Sequence, residues 1–317
     1  MPDCGGSAYL SRISPLPMYN RRHFLRRAAA AGVYAAIGTN LPACARGSRY
    51  QDEIGLQLYT LRNQLERDPL ATLTAVRDIG YRQVELMDTI QLPELLPIIR
   101  DLGLGLHSSF INWSHVTGGW EYNAAARVDY GFERVIEDAQ RAGLSELVFG
   151  WWFPQERDTA DKYKATADKL NAAGEQCRAA GIQLCYHNHA FEFADFGGQT
   201  AYDILIERLD PDAVQFELDV FWASLAGVDP LALMQRLDGR IHLLHLKDKL
   251  AGTPVIKTDG PVPEDAFQEL GTGVVDIDGA LALAPGIGVR RCFVEQDQSP
   301  DPLQSVRTSY AYLEALG

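Results

Sequence analysis

Short apolar runs recur eight times along the chain, at residues 54–59, 83–86, 104–108, 147–150, 183–187, 214–220, 241–246 and 291–295. Each has the length of a strand. Between most of them lie segments in which apolar residues return every three or four positions, at 69–79, 92–102, 128–142, 161–180, 201–209, 230–237 and 276–283, and a last such segment spans 302–316. Gly80, Gly103, Gly143 and Gly181 stand just ahead of the next apolar run, where a helix commonly ends on a left-handed residue. Eight strand–helix units predict an α/β fold, a closed (β/α)8 TIM barrel forming a single domain over residues 54–317. An open doubly wound sheet ranks second, because no glycine-rich dinucleotide loop follows the first run.

The chain ahead of residue 54 reads differently. Arg21-Arg22 and Arg26-Arg27 lead into an alanine-rich, weakly apolar stretch that ends at Ala43-Cys44-Ala45. Paired arginines, a short apolar segment and small residues at a cleavage position are the pattern of a twin-arginine export leader over residues 1–45, followed by a linker at 46–53. The apolar segment is too short and interrupted for a permanent bilayer span. The expected location is the periplasm. Leu41-Pro42-Ala43-Cys44 also resembles a lipoprotein box, so membrane attachment is expected only if Cys44 is lipidated.

Removing the leader sharpens the charge balance. Taking five arginines and one aspartate from 29 basic and 42 acidic residues leaves 24 and 41, a net charge of −17. So acidic a body repels nucleic-acid phosphates, which counts against a nucleic-acid partner. Beyond the leader the cysteines are Cys177, Cys185 and Cys292, an odd number, with the last two in apolar runs; they read as core residues and not as a disulfide framework.

In a barrel of this kind the chemistry sits at the carboxyl ends of the strands. Polar residues collect there and, by the two-residue strand period, on one face: Gln57 and Tyr59, Glu85, His107, His187 and His189, Glu217 and Asp219, His245 and Lys247, Glu295 and Asp297. A lone polar residue at a strand end is ordinarily structural. Convergence from so many strands on one rim is hard to explain by packing.

The stretches Leu58-Tyr59-Thr60-Leu61-Arg62, Gly80-Tyr81 with Val84-Glu85, Tyr186-His187-Asn188-His189, Glu217-Leu218-Asp219 with Trp222, His245-Leu246-Lys247-Asp248, Gly271-Thr272-Gly273 and Val294-Glu295-Gln296-Asp297 carry a resemblance. From residue 54 to 316 the chain resembles the xylose isomerase-like sugar phosphate isomerase/epimerase superfamily. The resemblance implies one divalent metal ion, with Asp219, His245 and Glu295 as ligands from the last three strands. Many relatives carry Glu where this chain has His187, so the fourth ligand is His187 or, reaching back, Glu192. Carboxylates with imidazole suit manganese, zinc, iron or magnesium. The middle of the Gly-x-Gly turn, often acidic in relatives, is Thr272 here, which counts against a base from that loop.

Such a site would polarise a carbonyl and its neighbouring hydroxyl and stabilise the enediolate left when a proton departs. Glu192 or His189 is the expected acid/base, with Lys247 and His107 placing substrate oxygens; Gln57, Tyr59, Glu85 and Trp222 complete the substrate-binding set. Trp113, Trp151 and Trp152 are further candidates for flat walls against a sugar ring. The expected activity is a sugar isomerase or epimerase. Export points to an unphosphorylated sugar, keto-sugar or glycoside as substrate. A dehydratase or 3-keto-glycoside lyase or hydrolase is the runner-up, and a non-catalytic sugar-binding barrel is the third reading.

Overall fold

The computed structural model describes residues 54–127 and 129–316. The readings of the leader, of Cys44 and of the linker lie outside the described residues. Eight parallel strands close into a barrel: β1 (Gly55–Gln57), β2 (Gln83–Leu86), β3 (Gly105–Phe110), β4 (Glu146–Phe149), β5 (Gln183–His187), β6 (Val214–Asp219), β7 (Ile241–Leu246) and β8 (Arg291–Val294), with β1 hydrogen-bonded to both β2 and β8. Helices α1 (Pro69–Ile79), α2 (Leu92–Asp101), α3 (Phe132–Ala142), α4 (Ala160–Ala179), α5 (Ala201–Arg208), α6 (Pro230–Arg236), α7 (Ile277–Leu283) and α8 (Pro302–Ala315) follow the strands in turn. The fold is the expected TIM barrel.

Local chemistry sets the element ends. Asp68, Asp229 and Asp301 each cap a helix whose first residue is proline, and Thr200 forms a reciprocal capping box with Asp203 on α5. Gly143 closes α3 at φ 83°, a backbone region that disfavours residues with a Cβ. Where element limits differ from the sequence pattern, a side chain explains it. β1 stops at Gln57, and not at 59, because the Gln57 side chain accepts the Tyr59 N–H and turns the chain into a 3-10 turn at Leu58–Leu61.

The strands bury both faces. Leu56, Val84, Leu147, Leu184, Phe216 and Leu244 face the helices in the main core, while Val148, Cys185, Leu243 and Phe293 form a separate apolar plug inside the barrel. Below that plug, at the strands' amino ends, the buried Glu146 carboxylate is paired across the barrel with Arg291 at 2.8 Å; above it a larger set of inward-facing polar residues gathers at the strands' carboxyl ends. Cys177, Cys185 and Cys292 are buried and free, in keeping with their reading as core. Among the described residues no helix is long and apolar enough to cross a membrane.

Residues 247–276, between β7 and α7, form a long excursion that the apolar pattern does not show. It contains a two-residue antiparallel pairing of Asp248–Lys249 with Phe267–Gln268. Asp248 organises it: one carboxylate oxygen accepts N–H bonds from Gly271 and Gly273 and the other from Lys249 and Val275, at 2.8–3.0 Å. A Cβ on Gly273 would fall 2.3 Å from that carboxylate, which is why the turn needs glycine there. Thr272 is exposed and supplies nothing to the barrel mouth.

Candidate metal centre and active site

β5, β6 and β7 end side by side, with His187 opposite Glu217 and Asp219 opposite His245 in the strand register. His187, Asp219 and His245 each offer a ligand atom, all within 4.8 Å of one another and all buried. The Asp219 Oδ2 atom is 4.0 Å from His187 Nε2 and 3.9 Å from His245 Nδ1, and Glu295 Oε2 lies 3.0 Å from the same His245 nitrogen. Donor atoms bound at about 2.0–2.2 Å to one ion stand about 3–4 Å apart, so this spacing accommodates a small divalent cation. Asp219 Oδ2 is also buried and accepts no hydrogen bond of acceptable geometry, its nearest cation being the Lys247 ammonium at 3.2 Å. Its partner oxygen caps the helix Val220–Leu225 by accepting the Trp222 N–H, and Asn188 exchanges two hydrogen bonds with the Asp219 backbone. The carboxylate is thereby held with one oxygen committed and the other aimed at the two imidazoles. Two imidazoles and two carboxylates form a suitable donor set for the implied ion.

Beneath this layer a second row of polar side chains braces the first. Glu217 Oε2 holds His187 Nδ1 at 3.0 Å, leaving Nε2 for the site. Glu85 Oε2 takes His245 Nε2 at 2.7 Å and also accepts Gln57 Nε2 at 2.8 Å, while its other oxygen accepts the Ser108 hydroxyl. Carboxylates on the distal nitrogens of two candidate ligand histidines set tautomer and ring orientation. Burial would lower the His245 pKa, but Glu217 and Glu85 outweigh it and hold it well above the usual imidazole range. Burial and the neighbouring His245 push His187 well below that range. For Glu295, Lys247 and His245 overcome the upward push of burial and keep the carboxyl well below its usual range.

Above the ligand group opens a cavity of about 730 Å³, to which His187 and Glu295 contribute from the floor. Of the expected substrate and acid/base residues, Gln57, Tyr59, His189, Trp222 and Lys247 line it. His189 is half-buried, its ring stacked on Phe191 at 5.2 Å and its Nδ1 without a partner. Burial, with Lys247 nearby, lowers its pKa to about 3, so the imidazole is neutral near pH 7. Trp113 and Trp151 stand edge to face at 5.2 Å on one wall, whereas Trp152 is fully buried in the core. The mouth is bounded by the 247–276 excursion through Pro261 and Val262, and Asp259 ties that segment to the buried Arg157 guanidinium by two hydrogen bonds.

The family model of the xylose isomerase-like TIM barrels matches residues 73–315. The chain belongs to that family. Among solved structures, the chain is similar to a sugar phosphate isomerase/epimerase from Parabacteroides distasonis, with 26% identity and a TM-score of 0.67 over 82% of this chain and 96% of that one. It is also similar to the IOLI protein with a bound zinc atom (16%, TM-score 0.60, 83% and 96% covered) and to a xylose isomerase-like TIM barrel protein from Mycobacterium smegmatis in complex with magnesium (16%, TM-score 0.60, 83% and 96%). The last two show the fold alone. No curated protein matches the chain.

Within this xylose isomerase-like barrel three more of the expected acid/base and substrate residues, besides Trp152, lie away from the cavity lining. Glu192 sits in the turn Phe191–Phe193, fully buried, accepting the Tyr186 hydroxyl at 2.9 Å and the His189 N–H at 2.8 Å. It faces the core on the side that Tyr186 occupies and does not join the ligand group; between the two candidates for the fourth ligand, the structure brings His187 into the group. Glu85 lies under the floor as a brace. His107 is displaced by a register shift between β2 and β3: Val84 pairs with Leu106 but Glu85 with Ser108, so Ser108 takes the inward place. The His107 ring folds back against Gly105, within 3.1 Å of where a Cβ would stand there.

Glu217, Ser108 and Asp297 are site residues outside the expected ligand and substrate sets. The alternation Glu217-Leu218-Asp219 signals that Glu217 faces inward, and Glu295-Gln296-Asp297 signals the same for Asp297. No pattern in the chain signals the bulge that brings in Ser108.

Proposed function

We propose that the protein is a divalent-metal-dependent sugar isomerase or epimerase that removes a proton next to a carbonyl. One observation carries the reading: the His187, Asp219 and His245 ligand atoms, with Glu295 beside them, converge beneath a cavity sized and walled for a sugar. A divalent ion bound there supplies Lewis-acid polarisation of a carbonyl and its neighbouring hydroxyl. The chain's own residues supply the rest. His189, neutral and unpartnered at Nδ1, is the group placed to accept or return the proton, with Glu192 fixing its turn from behind through the His189 N–H. Lys247 presents a cation to substrate oxygens, Gln57 offers a polar edge, and Tyr59, Trp113, Trp151 and Trp222 present apolar ring faces.

Among the described residues Lys247 is the one lysine or arginine lining the cavity, and it is already shared by three carboxylates. A phosphate group would find no free cationic clamp, which favours an unphosphorylated sugar, keto-sugar or glycoside. The leader pattern of residues 20–45 supports a periplasmic place of action, where such substrates occur. If the proton loss is followed by departure of a β-substituent, the same site acts as a dehydratase or glycoside lyase.

The test is a product screen. Metal-loaded protein is incubated with unphosphorylated keto-sugars and 3-keto-glycosides and followed by NMR. A new stereoisomer or positional isomer supports the isomerase reading, a released aglycone or an unsaturated product supports the lyase, and no conversion of any member counts against both.

A further inference from the structure

Lys247 is 2% exposed, and its ammonium lies 2.6 Å from Glu295 Oε2, 3.2 Å from Asp219 Oδ2, and 3.0 and 3.1 Å from the two oxygens of Asp297. A buried ammonium is tolerated only when paired in this way. Two of its partners are the oxygens placed beside His245 Nδ1 for metal binding: Glu295 Oε2 at 3.0 Å and Asp219 Oδ2 at 3.9 Å. One oxygen pair is therefore claimed by two cations. A divalent ion sharing those oxygens would be only one shared oxygen away from the ammonium, close enough for the like charges to repel strongly at protein dielectric. Asp297 is the partner outside the ligand group, and it lines the cavity.

We infer that the Lys247 ammonium competes with a divalent cation for the candidate ligand oxygens, and that the cation binds by displacing that ammonium from Asp219 and Glu295 onto Asp297. The inference rests on the metal reading above and adds an exchange of partners to it. Asp297 is then a positioning residue. It receives the displaced ammonium and holds it on the cavity side, where a substrate oxygen can reach it, so that Lys247 is armed for substrate only once the cation is in place. No covalent bond changes in this exchange.

The test reads cation affinity and not turnover. The full chain, stripped with a chelator, is titrated with Mn²⁺ while free Mn²⁺ is followed by electron paramagnetic resonance, for wild type, Lys247→Met, Asp297→Asn and the double variant. Lys247→Met should bind Mn²⁺ about tenfold tighter or more, because the competing charge is gone. Asp297→Asn should bind about tenfold weaker, because the displaced ammonium has lost its acceptor, and should cost clearly less once Lys247 is Met, when only the loss of a nearby negative charge remains. Lys247→Gln, which keeps length and polarity, serves if the Met variant fails to fold, and should also tighten binding. Equal or weaker binding by both Lys247 variants overturns the inference, as does an Asp297→Asn loss of the same size in both backgrounds. A wild-type chain that binds no Mn²⁺ and no other divalent cation overturns the metal reading itself. Wild-type binding without tightening overturns the exchange alone.

Discussion

Glu192 offers a decisive perturbation, because its placement separates a brace from a catalyst. Burial raises its carboxyl to about 7 from an ordinary 4.5, against the lowering influence of its own backbone hydrogen bond, Arg157, the Tyr186 hydroxyl and the His189 N–H. A carboxyl raised on folding binds more protons in the folded than in the unfolded chain throughout the window between those values. Stability therefore falls as pH rises from 4.5 to 7, by up to ~1.4 kcal/mol per pH unit and ~3 kcal/mol across the window. Glu192→Gln resembles the protonated form and removes that slope. Urea unfolding of wild type and variant from pH 5 to 8 isolates it, since titrations common to both cancel in the difference. The variant should gain on wild type with rising pH, by ~2–3 kcal/mol over this range, and should still bind metal. A flat difference would contradict the buried, raised carboxyl. A flat difference with a hundredfold loss of proton abstraction would restore Glu192 to the catalytic role expected from the sequence.

Other substitutions probe the supports. Glu217→Gln loosens the grip on His187 Nδ1 and should weaken divalent-cation affinity by about 10–100-fold at unchanged fold, read by competition with a chelator. Asp248→Ala strips four backbone N–H groups of their charged acceptor and should lower unfolding stability by ~3 kcal/mol or more, with the urea m-value unchanged. Gly174→Ala would ordinarily stabilise helix α4 by ~1 kcal/mol, but its Cβ would meet the Ala213 carbonyl at 2.5 Å; calorimetry should show a net loss of ~1–2 kcal/mol.

Much of the fold is legible in the chain because strands buried on both faces leave short apolar-rich runs, and four of the helices between them end at Gly80, Gly103, Gly143 and Gly181. The convergence of polar residues on the barrel rim is legible for a related reason, although the family resemblance and not the period names the candidate ligands among them. Asp219, His245 and Glu295 lie at strand ends, where the two-residue period places side chains reliably. The period fails at His107, because one extra residue in β3 moves every later side chain to the opposite face, and that shift follows from the β2 pairing and not from local composition. It fails again at Glu192, which lies beyond β5 in a 3-10 turn where strand alternation no longer applies. The Asp248 hub is hidden because its four partners lie one to 27 positions away, within a loop that has no apolar rhythm.

The central claim is that residues at the ends of β5 to β8 hold a divalent ion that makes a carbon acid labile. Solvent deuterium wash-in tests it most directly: the stripped and the metal-loaded chain are each incubated in D₂O with a panel of unphosphorylated keto-sugars. The account predicts deuterium next to the carbonyl in at least one sugar, only after metal loading, and lost in Asp219→Ala. Wash-in that is equal with and without metal, or absent from every sugar in a chain shown to carry the ion, would contradict it.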